Sequence, residues 1–227
     1  MFHVERRGPP ADEIPVELTA QPGLLARKGL EELGLAGPRL DALSCALGQL
    51  AELLARWSAR FNLTGHGDAE AVVRRLILDA LALDRMLPKV SSMVDLGSGA
   101  GFPGLPIALL HPERNVTLVD SRERSHHFQR AAVRELGIGN TVLRLGRAEE
   151  LTPEPHALVT AQAMAAPRQA VIWMLPWAEQ GGILALPLSA AQPPPEPIER
   201  VGAESVSSYA VPLGGPRRKL WLGRKLT

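Results

Sequence analysis

The chain has 227 residues and a mass of 24.4 kDa, enough for one sizeable core with a smaller appendage. Its 25 basic and 24 acidic residues leave a net charge of +1, so no general attraction to nucleic acid is built in, and any RNA contact must come from local patches. A single cysteine, Cys45, excludes a disulfide framework and a cysteine-rich zinc site; with no membrane-length apolar run and no signal-peptide core in residues 1–22, a cytoplasmic protein with no membrane contact is expected.

Residues 1–22 carry Pro9, Pro10, Pro15 and Pro22 among charges, show no period, and read as a loose arm. From Leu40 the apolar residues Leu43, Leu47, Leu50, Leu54, Trp57 and Phe61 recur alternately every third and fourth position, which predicts a helix of 22 residues over 40–61. Such a seam packs either on a partner helix or on its own domain. Three heptads without patterned flanking charges favour the second, hence a monomer. Asn62–Gly65 is turn chemistry, and the next helix is expected over Asp68–Met86, with Arg74, Arg75 and Asp79 on its polar side. Residues 23–88 thus form a helical cap. Arg75 and Asp79, four apart, would make a surface ion pair contributing a few tenths of a kcal/mol.

Residues 92–104 then combine a short apolar strand, Met93–Leu96, with a turn rich in glycine at Gly97, Gly99 and Gly101 and with Pro103 placed for the first turn of a helix. In an open α/β sheet the crevice past such a strand takes a nucleotide-like ligand. Two registers compete. Gly99, Gly101 and Gly104 spell the dinucleotide signature G-x-G-x-x-G, but the turn follows the strand directly at Gly97, and in that register the third glycine position is Phe102. The other register is Asp95-x-Gly97-x-Gly99-x-Gly101, followed by a second acid, Asp120, at the end of the strand Asn115–Asp120. Asp120 can take both hydroxyls of a ribose, and Asp95 offers a negative charge to a cationic group. S-adenosylmethionine has that distribution and no phosphate.

Ser121 is a plausible cap for a helix over Arg122–Leu136, which buries Phe128, Ala132 and Leu136, exposes Arg122, Arg124, Arg130 and Arg134, and stops at Gly137. Strands follow at Thr141–Leu145, Ala157–Ala163 and Gly182–Pro187, with a helix reaching about Ala178 and a Pro-rich run over Gln192–Pro197. Ser205–Leu213 and Arg218–Gly223 read as an antiparallel closing pair. The alternation predicts an α/β fold over 89–227: a doubly wound, mostly parallel Rossmann-like sheet carrying the helical cap.

The runs DLGSGAGFPGLPIALLHPE and VTLVDS, with the upstream NLTG and RRLILDAL, resemble the bacterial small-subunit ribosomal RNA methyltransferase family known as RsmG or GidB over about residues 40–225. The resemblance implies S-adenosylmethionine-dependent methylation of N7 of a guanine in 16S ribosomal RNA within the small ribosomal subunit. It also implies that Ala148 and Glu149 contact the adenine side of the cofactor and that Arg75, Arg122 and Arg124 lie near RNA. The chain departs from the family pattern where a His, an Arg and a Lys give way to Leu76, Gln162 and Pro187. Arg217, Arg218, Lys219, Arg224 and Lys225 are expected to supply a replacement basic patch. The expected cofactor site is therefore Asp95, Gly97, Gly99, Gly101, Phe102, Asp120, Ala148, Glu149 and Gln162, and the expected RNA contacts are Arg75, Arg122, Arg124, Arg218 and Lys219. Guanine N7 carries a free lone pair, so no catalytic base is required and none is assigned; the work is positioning. Three readings stand at this stage: an active methyltransferase, a degenerate relative that binds cofactor or ribosomal RNA without turnover, and a nicotinamide oxidoreductase.

Overall fold

The computed structural model describes residues 21–226; residues 1–20, most of the expected loose arm, lie outside the described residues. The first helix, α1, already begins inside the expected arm and spans Gln21–Glu32. It crosses α2, Leu40–Phe61, whose bounds are those the spacing predicts. At the crossing, a Cβ on Gly48 would lie 2.7 Å from the backbone nitrogen of Gly23, so only glycine allows the two backbones this approach. Leu47, Leu50 and Leu54 are fully buried, so the seam is covered within the chain. Asn62 ends the helix in the left-handed conformation, its N–H bonded to the Ser58 carbonyl.

The second cap helix differs from expectation. Asp68 caps it by accepting the Ala71 N–H at 2.7 Å, but α3, Ala69–Val72, passes into a π-helical stretch, Val73–Ile77, before α4, Leu78–Asp84. The wider turn takes Arg75 and Asp79 off a common face. Arg75 is exposed and Asp79 is buried, so the expected ion pair does not form.

The sheet has strand order β3-β2-β1-β4-β5-β7-β6. Its parallel part is β1 Ser92–Leu96, β2 Asn115–Asp120, β3 Thr141–Leu145, β4 His156–Ala161 and β5 Ala178–Ser189. β6, Val201–Ala210, and β7, Arg217–Lys225, close it antiparallel. The crossover helices are α5 Gly104–Leu110, α6 Glu123–Glu135 and α7 Pro167–Met174, the last continued by a 3₁₀ turn to Trp177. Met93 and Leu118 face the layer that holds the cap helices; Val94, Leu96, Val159, Trp177 and Trp221 face the other. β4 stops two residues earlier than expected, and β5 is twice as long. Pro187 is tolerated because β5 pairs with β4 only as far as Ala185 and thereafter with β7 alone.

Cap and sheet are joined at the end of α4. Asp84 is buried and accepts from Arg114 at 2.8 Å and from His111 at 2.7 Å. Burial pushes the Asp84 carboxyl up, but His111 and Arg114 outweigh it and hold it below the usual range. A depressed carboxylate contributes stability above its unfolded value of about 4 and loses it as pH falls through the folded value. Arg114→Ala should therefore cost about 3–5 kcal/mol near neutrality, the penalty of breaking a buried ion pair from one side, with His111 the partner that remains. Urea denaturation should show that cost shrinking below about pH 4, where Asp84 takes up a proton.

Candidate functional site

The parallel strands end together on one rim. After β1 the chain turns at Gly97, whose φ of 69° and 2.8 Å Cβ separation from the Met164 side chain admit only glycine. The N–H groups of Gly97 and Ser98 bond to the Val119 carbonyl at the end of β2. The Gly99 N–H bonds to Asp120 Oδ2 at 2.7 Å. From α6, the buried Gln129 donates to the Gly99 carbonyl at 2.7 Å and to Ser98 Oγ at 3.0 Å. Gln129 was legible only as a polar residue beside Phe128 on the buried face of α6.

Asp120 is almost fully buried, and its other oxygen accepts the Arg122 N–H at 2.9 Å and Arg122 Nε at 3.2 Å. The cap expected of Ser121 is not formed; α6 starts at Glu123 with Arg122 in the cap position and no side-chain cap bond. Asp95 behaves differently. It is fully buried behind the turn and accepts the Gly104 N–H at 3.0 Å. Burial pushes its pKa up to about 8, the Gly104 bond pulling it down and the Asp120 charge adding to the rise. That rise disfavours the negative charge expected there for a cationic ligand.

A cavity of about 310 Å³ opens where these strands end, lined among others by Gly97, Asp120, Ser121, Arg122, Ala148, Glu149, Met164 and Trp173. Four expected cofactor residues, Gly97, Asp120, Ala148 and Glu149, line it, and Gly99 backs it through Asp120. Asp95, Gly101 and Phe102 do not: Gly101 faces Leu105 and Gln129, and Phe102 packs against the core. Ser121, Arg147, Met164 and Trp173 also line it and were missed, since side chains that meet across loops leave no period. Trp177 fixes the far wall by donating to the Ala148 carbonyl at 3.1 Å. Both arginines of the lining face carboxylates, Arg122 on Asp120 and Arg147 at 3.8 Å from Glu149 and Glu150.

Ala163 and Met164 divide this cavity from a second of about 160 Å³, lined by Gln162, Pro167, Pro187, Gln192 and Arg218 among others. Gln162 and Arg218 in turn border a third of about 180 Å³, with His66, Arg74, Arg75, Leu76 and Asp79. Gln162 thus belongs to these neighbouring cavities, not to the first. At their junction Asp79 accepts Arg218 Nη2 at 2.8 Å, the Tyr209 hydroxyl at 3.3 Å and, at the limit of bonding, Gln162 Nε2 at 3.5 Å. Burial and the Asp79 charge raise the Tyr209 pKa, so its hydroxyl stays a donor.

The expected C-terminal basic patch does not assemble. Alternation along β7 puts Arg218 and Lys219 on opposite faces. Lys219 donates to the Gln192 carbonyl at 3.4 Å, Arg224 to Gly181 and Lys225 to Ala178. Arg124 is exposed and donates to the Phe61 carbonyl at 3.1 Å, and Arg75 stands at the rim of the third cavity.

Residues 44–196 match the sequence model described as rRNA small subunit methyltransferase G. Proteins of that name include one from Halorhodospira halophila, 41% identical over 134 residues, which are 59% of this chain and 62% of the relative. A Nitrosomonas europaea protein is 45% identical over 52% of this chain and 56% of its own length, and a Neisseria meningitidis protein is 33% identical over 70% and 78%. The chain therefore spans less than two thirds of the Halorhodospira and Nitrosomonas proteins. Among solved structures it is similar to M. jannaschii TYW2 in complex with AdoMet, with a TM-score of 0.53, 11% identity and coverage of 66% of this chain and 76% of that one. The O-methyltransferase TomG from Streptomyces achromogenes, in complex with SAM, gives 0.52, 15%, 80% and 90%. At such identities these likenesses show the fold.

The state of Asp95 is open to test. With a folded pKa near 8 and an unfolded one near 4, the native state holds the extra proton and stability falls as pH rises between them. Asp95→Asn keeps an acceptor for Gly104 without the titration. Thermal unfolding should find the variant gaining on the wild type steadily from about pH 4 to about 8 and no further beyond.

Proposed function

Because the chain belongs to the rRNA small subunit methyltransferase G family, we propose that it methylates N7 of a guanine in 16S ribosomal RNA of the small ribosomal subunit, with S-adenosylmethionine as donor. The observation that carries the reading is Asp120: a buried carboxylate at the end of β2, opening on a cavity whose arginines are already paired with carboxylates. A ligand with a ribose diol and no phosphate fits that donor set. Asp120 takes the ribose, Ala148 and Glu149 with Trp173 flank the adenine, and Gly97 lets the methionine part lie close to the backbone. The cofactor supplies a methyl group on a sulfonium, whose departure leaves the bonding pair on a neutral thioether.

The acceptor enters by the neighbouring cavity, next to Ala163 and Met164. The chain's task there is to hold the guanine so that N7 meets the methyl at roughly 3–3.5 Å and in line with the carbon–sulfur bond. The N7 lone pair forms the new bond and no proton leaves, so no residue serves as base. Arg218 reaches Asp79 beside Gln162, where the carboxylate compensates its charge. No helix among the described residues is long and apolar enough to cross a membrane, and the reading extends to a monomer working in the cytoplasm.

The assay is incorporation of labelled methyl into small subunits lacking the modification, with the product nucleoside identified. N7-methylguanosine is expected from the wild type. Asp120→Ala should weaken cofactor affinity about 10- to 150-fold, the range set by the ~1.5–3 kcal/mol of a hydrogen bond to a charged group. Cofactor binding without label in RNA at any salt concentration would overturn the enzyme reading.

A further inference from the structure

A further concavity, of about 660 Å³, lies outside the three just described, where the end of α2 meets α6; its lining includes Leu53, Trp57 and Phe61, the arginines Arg56 and Arg60, and Glu135. Phe61 is 44% exposed, large for an aromatic that completes the seam of a core helix. Its ring is held from below. Trp57 lies 5.4 Å from it, centroid to centroid, and is itself seated edge-on against the buried Phe128 at 5.8 Å. The backbone is fixed too, since Arg124 Nη1 donates to the Phe61 carbonyl at 3.1 Å. Arg56, Arg60 and Arg124 are exposed, and none forms an ion pair with a described carboxylate. The acid of the lining, Glu135, faces Arg134 at 3.9 Å.

A rigid, half-exposed aromatic face ringed by unpaired guanidinium groups has the chemistry of a site for single-stranded nucleic acid: the ring stacks a base of any identity, and the cations take the flanking phosphates. The place suits it. Arg124 follows by two residues Arg122, which lines the expected cofactor cavity, so the patch and that cavity are joined by the first turn of α6. We propose that Phe61 is a stacking platform for an unpaired RNA base near the target nucleotide, with Arg56, Arg60 and Arg124 as its phosphate contacts. This rests on the ribosomal RNA reading and adds to it a second anchor, away from the reacting atoms, that holds the substrate in register. Net charge near zero is no obstacle, because the cations are local.

The test is fluorescence anisotropy with a short labelled single-stranded RNA, and the same RNA in a fully paired duplex, run alongside methylation of small subunits lacking the modification. Phe61→Ala should weaken single-stranded binding about 5- to 100-fold, the value of one stacked base. Phe61→Trp should restore it, S-adenosylmethionine affinity should be the same in all three proteins, and the duplex should bind more weakly than the single strand. Arg60→Gln should lower the slope of log affinity against log salt by about one. Unchanged RNA binding in Phe61→Ala would overturn the platform and leave the methyltransferase reading intact. So would a Phe61→Ala defect seen with whole subunits but not with naked RNA, which would make this surface a contact for ribosomal protein. Wild-type protein that neither binds single-stranded RNA nor methylates subunits would remove both readings.

Discussion

The carboxylate of Asp120 is the constraint on which the rest of the site depends. The Gly-rich turn after β1 has almost no side chains to anchor it and needs left-handed backbone at Gly97 and Gly99, so its shape must be imposed from outside. Asp120 imposes it by accepting the Gly99 N–H, and with its other oxygen sets the start of α6 through the Arg122 N–H. One side chain thereby fixes two neighbouring strand-to-helix turns. Gln129 braces the same turn from α6, and Asp95 holds the start of α5 from behind by accepting the Gly104 N–H. Two carboxylates that look equivalent in the D-x-G-x-G…D pattern are placed differently: Asp120 lines the cavity, and Asp95 lies behind the turn.

Another buried carboxylate, Asp79, organises the neighbouring cavities. It gathers Arg218 from β7, Tyr209 from β6 and Gln162 from beyond β4, so the cap, the middle of the sheet and its β7–β6 end meet on one group. Removing a partner from such a buried pair costs more than the pair is worth, which favours its persistence. The arginine beside position 162 comes from 56 positions further along the chain and is held by Asp79, while Lys219 points to the other face of β7.

Much of the fold was legible. The alternating three- and four-residue spacing defines α2 because one face of it must be buried, and β2 and β3 have the bounds their apolar runs suggest. The π-helical stretch was not legible, since it is a shift in backbone bonding that leaves the apolar period almost intact. It hid the burial of Asp79 and made Arg75 look like its partner. Of the site, the residues on strand ends and the turn that faces the cavity could be read from motif and spacing. Asp95, Gly101 and Phe102 could not be sorted from them, because burial behind a loop depends on the fold of Gly104 and α5. Trp173 reaches the cavity from α7, and a side chain that meets others only across elements leaves no period in the sequence.

The choice between cofactors turns on the register of that turn. With Gly97 first, the strand-end acid Asp120 lines the cavity where it suits a ribose; with Gly99 first, a pyrophosphate would come up against that same buried carboxylate. Calorimetric titration of the purified protein with S-adenosylmethionine, and separately with NAD, decides between them most directly. The account predicts one saturable site for S-adenosylmethionine, weakened in Asp120→Ala, and no heat of binding for NAD; saturable binding of NAD, or none of S-adenosylmethionine, would contradict it.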